Sequence, residues 1–83
     1  MKSLSSGQIR AARALLRWSA EELARESALG LATIRRAENA ETHSMTAAND
    51  LTVRRVLEAA GVEFIDENGG GPGVRLRKPL KGK

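Results

Sequence analysis

The stretch SAEELARESALGLATIRRAEN, Ser19 to Asn39, decides how this chain is read. Ser19 followed by Glu22 has the spacing of a capping box: the hydroxyl accepts from the Glu22 N–H, and the glutamate reaches back to the serine N–H. Leu23 and Ala24 give the helix that follows a small apolar face, with Glu21, Glu22, Arg25 and Glu26 on the wet side. Gly30 interrupts the pattern and is a serviceable N-cap for a second helix. In that helix Ile34 and Ala37 turn inward, with Leu31 and Glu38 on the same side. At 100° per residue Ala32, Arg35, Arg36 and Asn39 project outward, no acid stands among them, and Thr33 lies at their flank. The reading is two short helices joined by a tight turn, the second displaying cations.

The rest of the chain reads as support for this unit. Met1 to Leu4 is expected to be a frayed end. Ser5 and Gln8 form a second capping-box pattern opening a helix from about Ser6 to Arg17. Its apolar stripe is Ile9, Ala12, Leu15 and Leu16, and Arg10 and Arg17 lie off it. Trp18 reads as an apolar plug under the corner between this helix and Ser19. Residues 40–45 (AETHSM) are small and polar without periodicity, hence a loop. A further helix is expected from a Thr46 cap to Ala60, with Gly61 just past its end. Leu51, Val53, Val56, Leu57 and Ala60 are its apolar positions; Arg54, Arg55 and Glu58 are its wet face.

Beyond Gly61, Val62 to Asp66 and Val74 to Arg77 alternate or carry β-branched residues and read as two short strands. Between them Glu67 to Gly73 holds four glycines and a proline in seven residues, a flexible connector. No Gly-Lys-Ser/Thr follows it, so it is not a nucleotide-phosphate loop. An isolated two-stranded hairpin is marginal in water. The strands therefore pack on the last helix or pair with the same segment of a second subunit. Val62, Phe64, Val74 and Leu76 fall on one face and are the candidate dimer contacts.

Two helices and a short turn, with arginines and an asparagine exposed on the second, are the ingredients of a helix-turn-helix. The pattern Ser-x-x-Glu-Leu-Ala, then Ala-Leu-Gly, then Ala-Thr-Ile-Arg-Arg-x-Glu-Asn resembles the Cro/cI-type (xenobiotic-response-element) family of bacterial and phage regulators, over about residues 7 to 61. The chain departs from the family pattern in places. Ala28 stands where glycine is usual, Gly30 where serine or threonine is, and Ala20, Leu31 and Ala32 where polar residues are. The resemblance implies a mainly α, four-helix, lambda-repressor-like DNA-binding domain over 1–61, its helix-turn-helix at 19–39. A β extension with a basic tail follows over 62–83. It also implies that Arg13 and Glu38 form a partly buried ion pair, and that Ser19 and Asn39 sit on phosphates at either end of the motif. The loop carrying His43 would approach the backbone as well.

Charge and composition agree with a polyanionic partner. Fourteen basic against ten acidic residues in 83 give +4, with a pI near 10.4. The basic residues gather at the end: Arg75, Arg77, Lys78, Lys81 and Lys83 follow one another without an acid. The chain has no cysteine, no apolar run near the 18 or so residues of a membrane span, and no leader-like segment, so an intracellular, cytoplasmic and nucleoid-associated protein without disulfides is expected. His43 is the only histidine, which makes a metal site unpersuasive. No nucleophile–base set, paired acids or cofactor fingerprint stands out, so neither an enzyme nor a cofactor is expected.

The leading expectation is sequence-specific recognition of near-palindromic duplex DNA by a homodimer, as a repressor or other transcriptional regulator. The helix Leu31–Asn39 would enter the major groove. Arg35 and Arg36 are the candidates for base edges, because arginine to guanine is the commonest bidentate contact. Ala32 and Thr33 would meet thymine methyl groups. The alternative is an antitoxin or antiactivator that binds a second regulatory protein, motivated by the apolar Ala20, Leu31 and Ala32.

Overall fold

The computed structural model describes residues 3–39 and 45–77. Four helices are followed by a hairpin: α1 (Ser6–Leu16), α2 (Ala20–Ser27), α3 (Leu31–Asn39), α4 (Ala47–Ala59), β1 (Val62–Ile65) and β2 (Gly73–Leu76). The strands pair antiparallel within the chain, Val62 opposite Leu76 and Phe64 opposite Val74. The protein is thus mainly helical with a two-stranded antiparallel sheet. Among the described residues no helix is long and apolar enough to cross a membrane.

Local chemistry sets each boundary. Ser5 and Gln8 complete a full capping box at the start of α1. Ser19 Oγ accepts from the Glu22 N–H at 3.0 Å, and Thr46 Oγ1 accepts from the Asn49 N–H at 3.1 Å. Helices α1 and α2 both end in a Schellman motif. Trp18 N–H donates to Arg13 O and Arg17 N–H to Ala14 O; Leu29 N–H donates to Ala24 O and Ala28 N–H to Arg25 O. The motif needs a left-handed residue, and here Arg17 (φ 60°) and Ala28 (φ 58°) fill a place where glycine is free of strain. Gly61, at φ 115°, turns the chain from α4 into β1.

The core gathers Ile9 and Ala12 of α1, Leu23 and Ala24 of α2, Ile34 and Ala37 of α3, Val53 and Leu57 of α4, and Val62 of β1, with Leu4 and Met45. Trp18, Leu16, Leu29, Leu31 and Val56 pack against it half-buried. Four expectations are corrected. Leu4 is no frayed end: its side chain is buried and its N–H donates to Asp50 Oδ1 at 3.0 Å, tying the segment before α1 to α4. Leu15 is 39% exposed, because it lies off the Ile9–Ala12–Leu16 line that faces the core. Arg54 is only 7% exposed instead of wet. Its guanidinium lies over the Phe64 ring, 5.2 Å from the centroid, and its Nη1 is 3.6 Å from Glu58, so β1 covers that side of α4. Finally, α1 stops at Leu16 because Arg17 has left helical geometry.

Two polar clamps fix the hairpin. The Gln8 amide accepts from the Ser5 N–H and donates to Gly73 O at 3.0 Å and Ile65 O at 3.5 Å, spanning the loop end of the strand pair. At the other end Arg77 N–H donates to Gly61 O, and the Arg77 guanidinium to Glu58 O and Val62 O. Glu58 O is one of the carbonyls that the end of α4 leaves without a helical partner. On the face away from Val62 and Phe64, Arg75 binds the Glu63 carboxylate through two N–H groups, which holds Glu63 below its ordinary range.

Candidate functional site

The outward face of α3 is the candidate site, and burial of the opposite face creates it. Ile34, Ala37 and Glu38 are buried, so Ala32, Arg35, Arg36 and Asn39 are exposed, as the spacing requires. Thr33 is half-buried at the flank. Leu31 is also half-buried and packed against the core, so most of its side chain is withdrawn from the face. Ser19 is exposed at the N-cap of α2, its hydroxyl oxygen engaged by Glu22 N–H. His43 and Lys78, Lys81 and Lys83 lie outside the described residues.

Helix α3 is locked from behind by two arginines of α1. Arg13 Nε donates to Glu38 Oε2 at 2.7 Å and Nη2 to Glu38 Oε1 at 2.9 Å, a fork-on-fork pair, while Nη1 donates to Trp18 O at 2.9 Å. One guanidinium therefore joins α1, the α1–α2 corner and α3. The hydrogen bonds to Glu38 raise the Arg13 pKa above its ordinary value; partial burial opposes this, and the charges of Glu38 and Glu21 add to it. Arg10 Nη1 donates to Glu38 O, a carbonyl at the α3 C-terminus. There a cation also meets the negative end of the helix dipole.

On the outward face the two arginines differ. Arg35 Nη2 donates to Glu21 Oε2 at 3.1 Å across the α2–α3 angle. Arg36 has no ion-pair partner among the described residues. The Glu21–Arg35 link is the part of the site that periodicity does not reveal. Glu21 reads correctly as a wet-side residue, but the turn that brings α2 against α3 decides which cation it meets.

The proposed dimer contacts divide. Val62 is fully buried in the protein's own core, and Phe64 and Val74 pack half-buried against it. Leu76 alone of the four stays at the surface, 48% exposed. A shallow depression of about 190 Å³ is lined by Ser3, Ser5, Gln8, Asp66, Glu67 and Pro72, none of them on α2 or α3. Among the described residues no three His, Cys, Asp or Glu side chains are grouped to hold a metal. In comparison with known proteins, no family model and no curated protein matches the chain.

Proposed function

We propose that the protein is a sequence-specific, lambda-repressor-like DNA-binding regulator of the Cro/cI type that acts as a homodimer. One observation carries the reading: a rigidly seated helix, α3, exposes Arg35, Arg36 and Asn39 side by side with no acid of its own among them. An α-helix fits the major groove, and a guanidinium matches the O6 and N7 acceptors of guanine. Arg36 is the first choice for a base edge because, among the described residues, its guanidinium has no ion-pair partner and all five N–H donors are open. Ala32 and Thr33 flank it as contacts for thymine methyls. Ser19, at the positive end of α2, and Asn39 position the phosphate backbone. Two copies about 34 Å apart would read successive turns of a near-palindrome.

The homodimer draws on what the hairpin leaves available. Each strand is bonded on one side only, and Leu76 is the large apolar residue exposed beside that edge. The reading implies a cytoplasmic, nucleoid-associated protein with no cofactor, catalytic activity or membrane partner. The second reading, an antitoxin or antiactivator acting on another regulatory protein, rests on the exposed Ala32, which offers a DNA edge no hydrogen bond, and is weakened by Ala20 and Leu31, which pack against the core instead of forming an apolar patch with it.

Selection of random genomic fragments by the purified protein tests the proposal, followed by titration of the best fragment against salt. DNA recognition predicts an enriched near-palindrome whose affinity falls steeply with salt, as for roughly six to ten phosphate contacts. Arg36→Ala should then flatten base preference at one position per half-site, by about 1–3 kcal/mol of discrimination. Weak, uniform binding with a co-purifying protein would transfer the case to the second reading.

A further inference from the structure

An ion pair in the middle of a DNA-facing surface is a peculiar use of a carboxylate. The Glu21 and Arg35 side chains are 59% and 56% exposed, and a pair so open to water adds little to stability. Its consequence lies instead in the charge the surface presents. Of the two guanidiniums on the outward face of α3, Arg35 is neutralised from α2, and Arg36 meets no carboxylate among the described residues. Glu21 also lies in the first turn of α2, next to the Ser19 cap where a phosphate is proposed to dock.

These facts bear unequally on the two kinds of DNA binding. Non-specific affinity is set by how many phosphates the protein neutralises. A carboxylate that holds Arg35 removes one cation from that count and repels the backbone besides. Direct readout depends on donors in fixed places rather than on net charge. A guanidinium has five N–H donors, and the pair occupies one, leaving the others oriented and available to a base edge. A side chain already held in one orientation also loses less freedom on binding.

We infer that Glu21, acting through Arg35, sets the ratio of specific to non-specific DNA affinity: it suppresses backbone binding and presents Arg35 to bases. The inference rests on the DNA-binding reading above. Glu21 is a positioning residue, and it makes no contact with DNA in this scheme.

The test compares the wild type with Glu21→Gln, Arg35→Gln, the double variant, and Glu26→Gln as a control that removes an acid from the same helix. Each is titrated with the enriched duplex and with a scrambled duplex of equal length, between about 50 and 200 mM salt. Circular dichroism and melting confirm folding, which loss of an exposed pair leaves intact. Glu21→Gln should bind the scrambled duplex more tightly. Its log–log salt slope should be steeper by about 0.9, which is roughly 3.5-fold over that salt range. The enriched duplex should gain less, so the specificity ratio falls. In the Arg35→Gln background the substitution should do little, and Glu26→Gln should leave the ratio alone. An equal gain on both duplexes, or a gain that persists without Arg35, overturns the inference while DNA recognition stands. A wild type with no salt-sensitive affinity for any duplex overturns both.

Discussion

The Arg13 guanidinium meets both carboxylate oxygens of Glu38, at 2.7 and 2.9 Å, and the two partners are unequally wet: Arg13 is 23% exposed and Glu38 only 7%. That inequality predicts unequal costs. Arg13→Met strands a buried carboxylate and frees Trp18 O, for a loss of about 3–5 kcal/mol. Glu38→Gln keeps an acceptor for Arg13, whose head still reaches water, and should cost about 1–2 kcal/mol. Urea unfolding of the two variants measures the difference. Equal losses, or the reverse order, would mean that the pair is not holding α3.

A second prediction concerns the α2–α3 turn. Ala28 is held at φ 58°, a left-handed conformation that its Cβ disfavours, so that Leu29 N–H can close the Schellman bond to Ala24 O. Ala28→Gly removes that strain. The variant should be about 1 kcal/mol more stable, which for a domain this size is about 4–8 °C in Tm. A lower Tm would show that the glycine's extra freedom in the unfolded chain outweighs the relief.

These two sites also show what a sequence discloses. Leu23, Ala24, Ile34 and Ala37 declare their burial because helical spacing is local, and the outward set Ala32, Arg35, Arg36 and Asn39 follows by subtraction. Ser19, Ser5 and Thr46 declare helix starts, because a cap is settled within four residues. Arg54 does not declare itself. On α4 it is simply a charged residue, and its burial depends on Phe64, which arrives only when the hairpin folds back. Leu4 is the same case, since its partner Asp50 is 46 residues away. The Glu21–Arg35 pair is hidden for a related reason: both residues read correctly as exposed, and only the angle between α2 and α3 makes them partners.

The proposed homodimer yields a third prediction. Deleting the hairpin is a poor test, because Val62 belongs to the core and the remaining chain would lose part of its own packing. Leu76→Glu is cleaner. Leu76 is half in water, so a charge there leaves the strand pairing intact while opposing a second copy. Sedimentation should give a monomer with an unchanged melting transition. A variant that remains dimeric would place the interface elsewhere, the exposed Leu15 of α1 being the next surface to alter.

The last prediction uses the double duty of Gln8. Its carbonyl oxygen accepts from Ser5 N–H at 2.9 Å, while its NH₂ donates to Gly73 O and Ile65 O. Gln8→Glu has the same shape and keeps the first bond, so the capping box survives. The second half fails at neutral pH, because a carboxylate oxygen would then face two carbonyl oxygens in a nearly buried position. The loss should be about 2 kcal/mol. A protonated carboxylic acid regains a donor, so this environment favours the neutral form and raises the folded-state pKa above the unfolded value of about 4.3. By linkage the variant is at its best below that unfolded pKa and loses stability as pH rises through the raised folded value. Melting curves from acid to neutral pH should therefore show Gln8→Glu close to the wild type in acid and diverging above. A deficit that stays constant with pH would mean that the amide's hydrogen bonds to the hairpin do not govern its docking on α1.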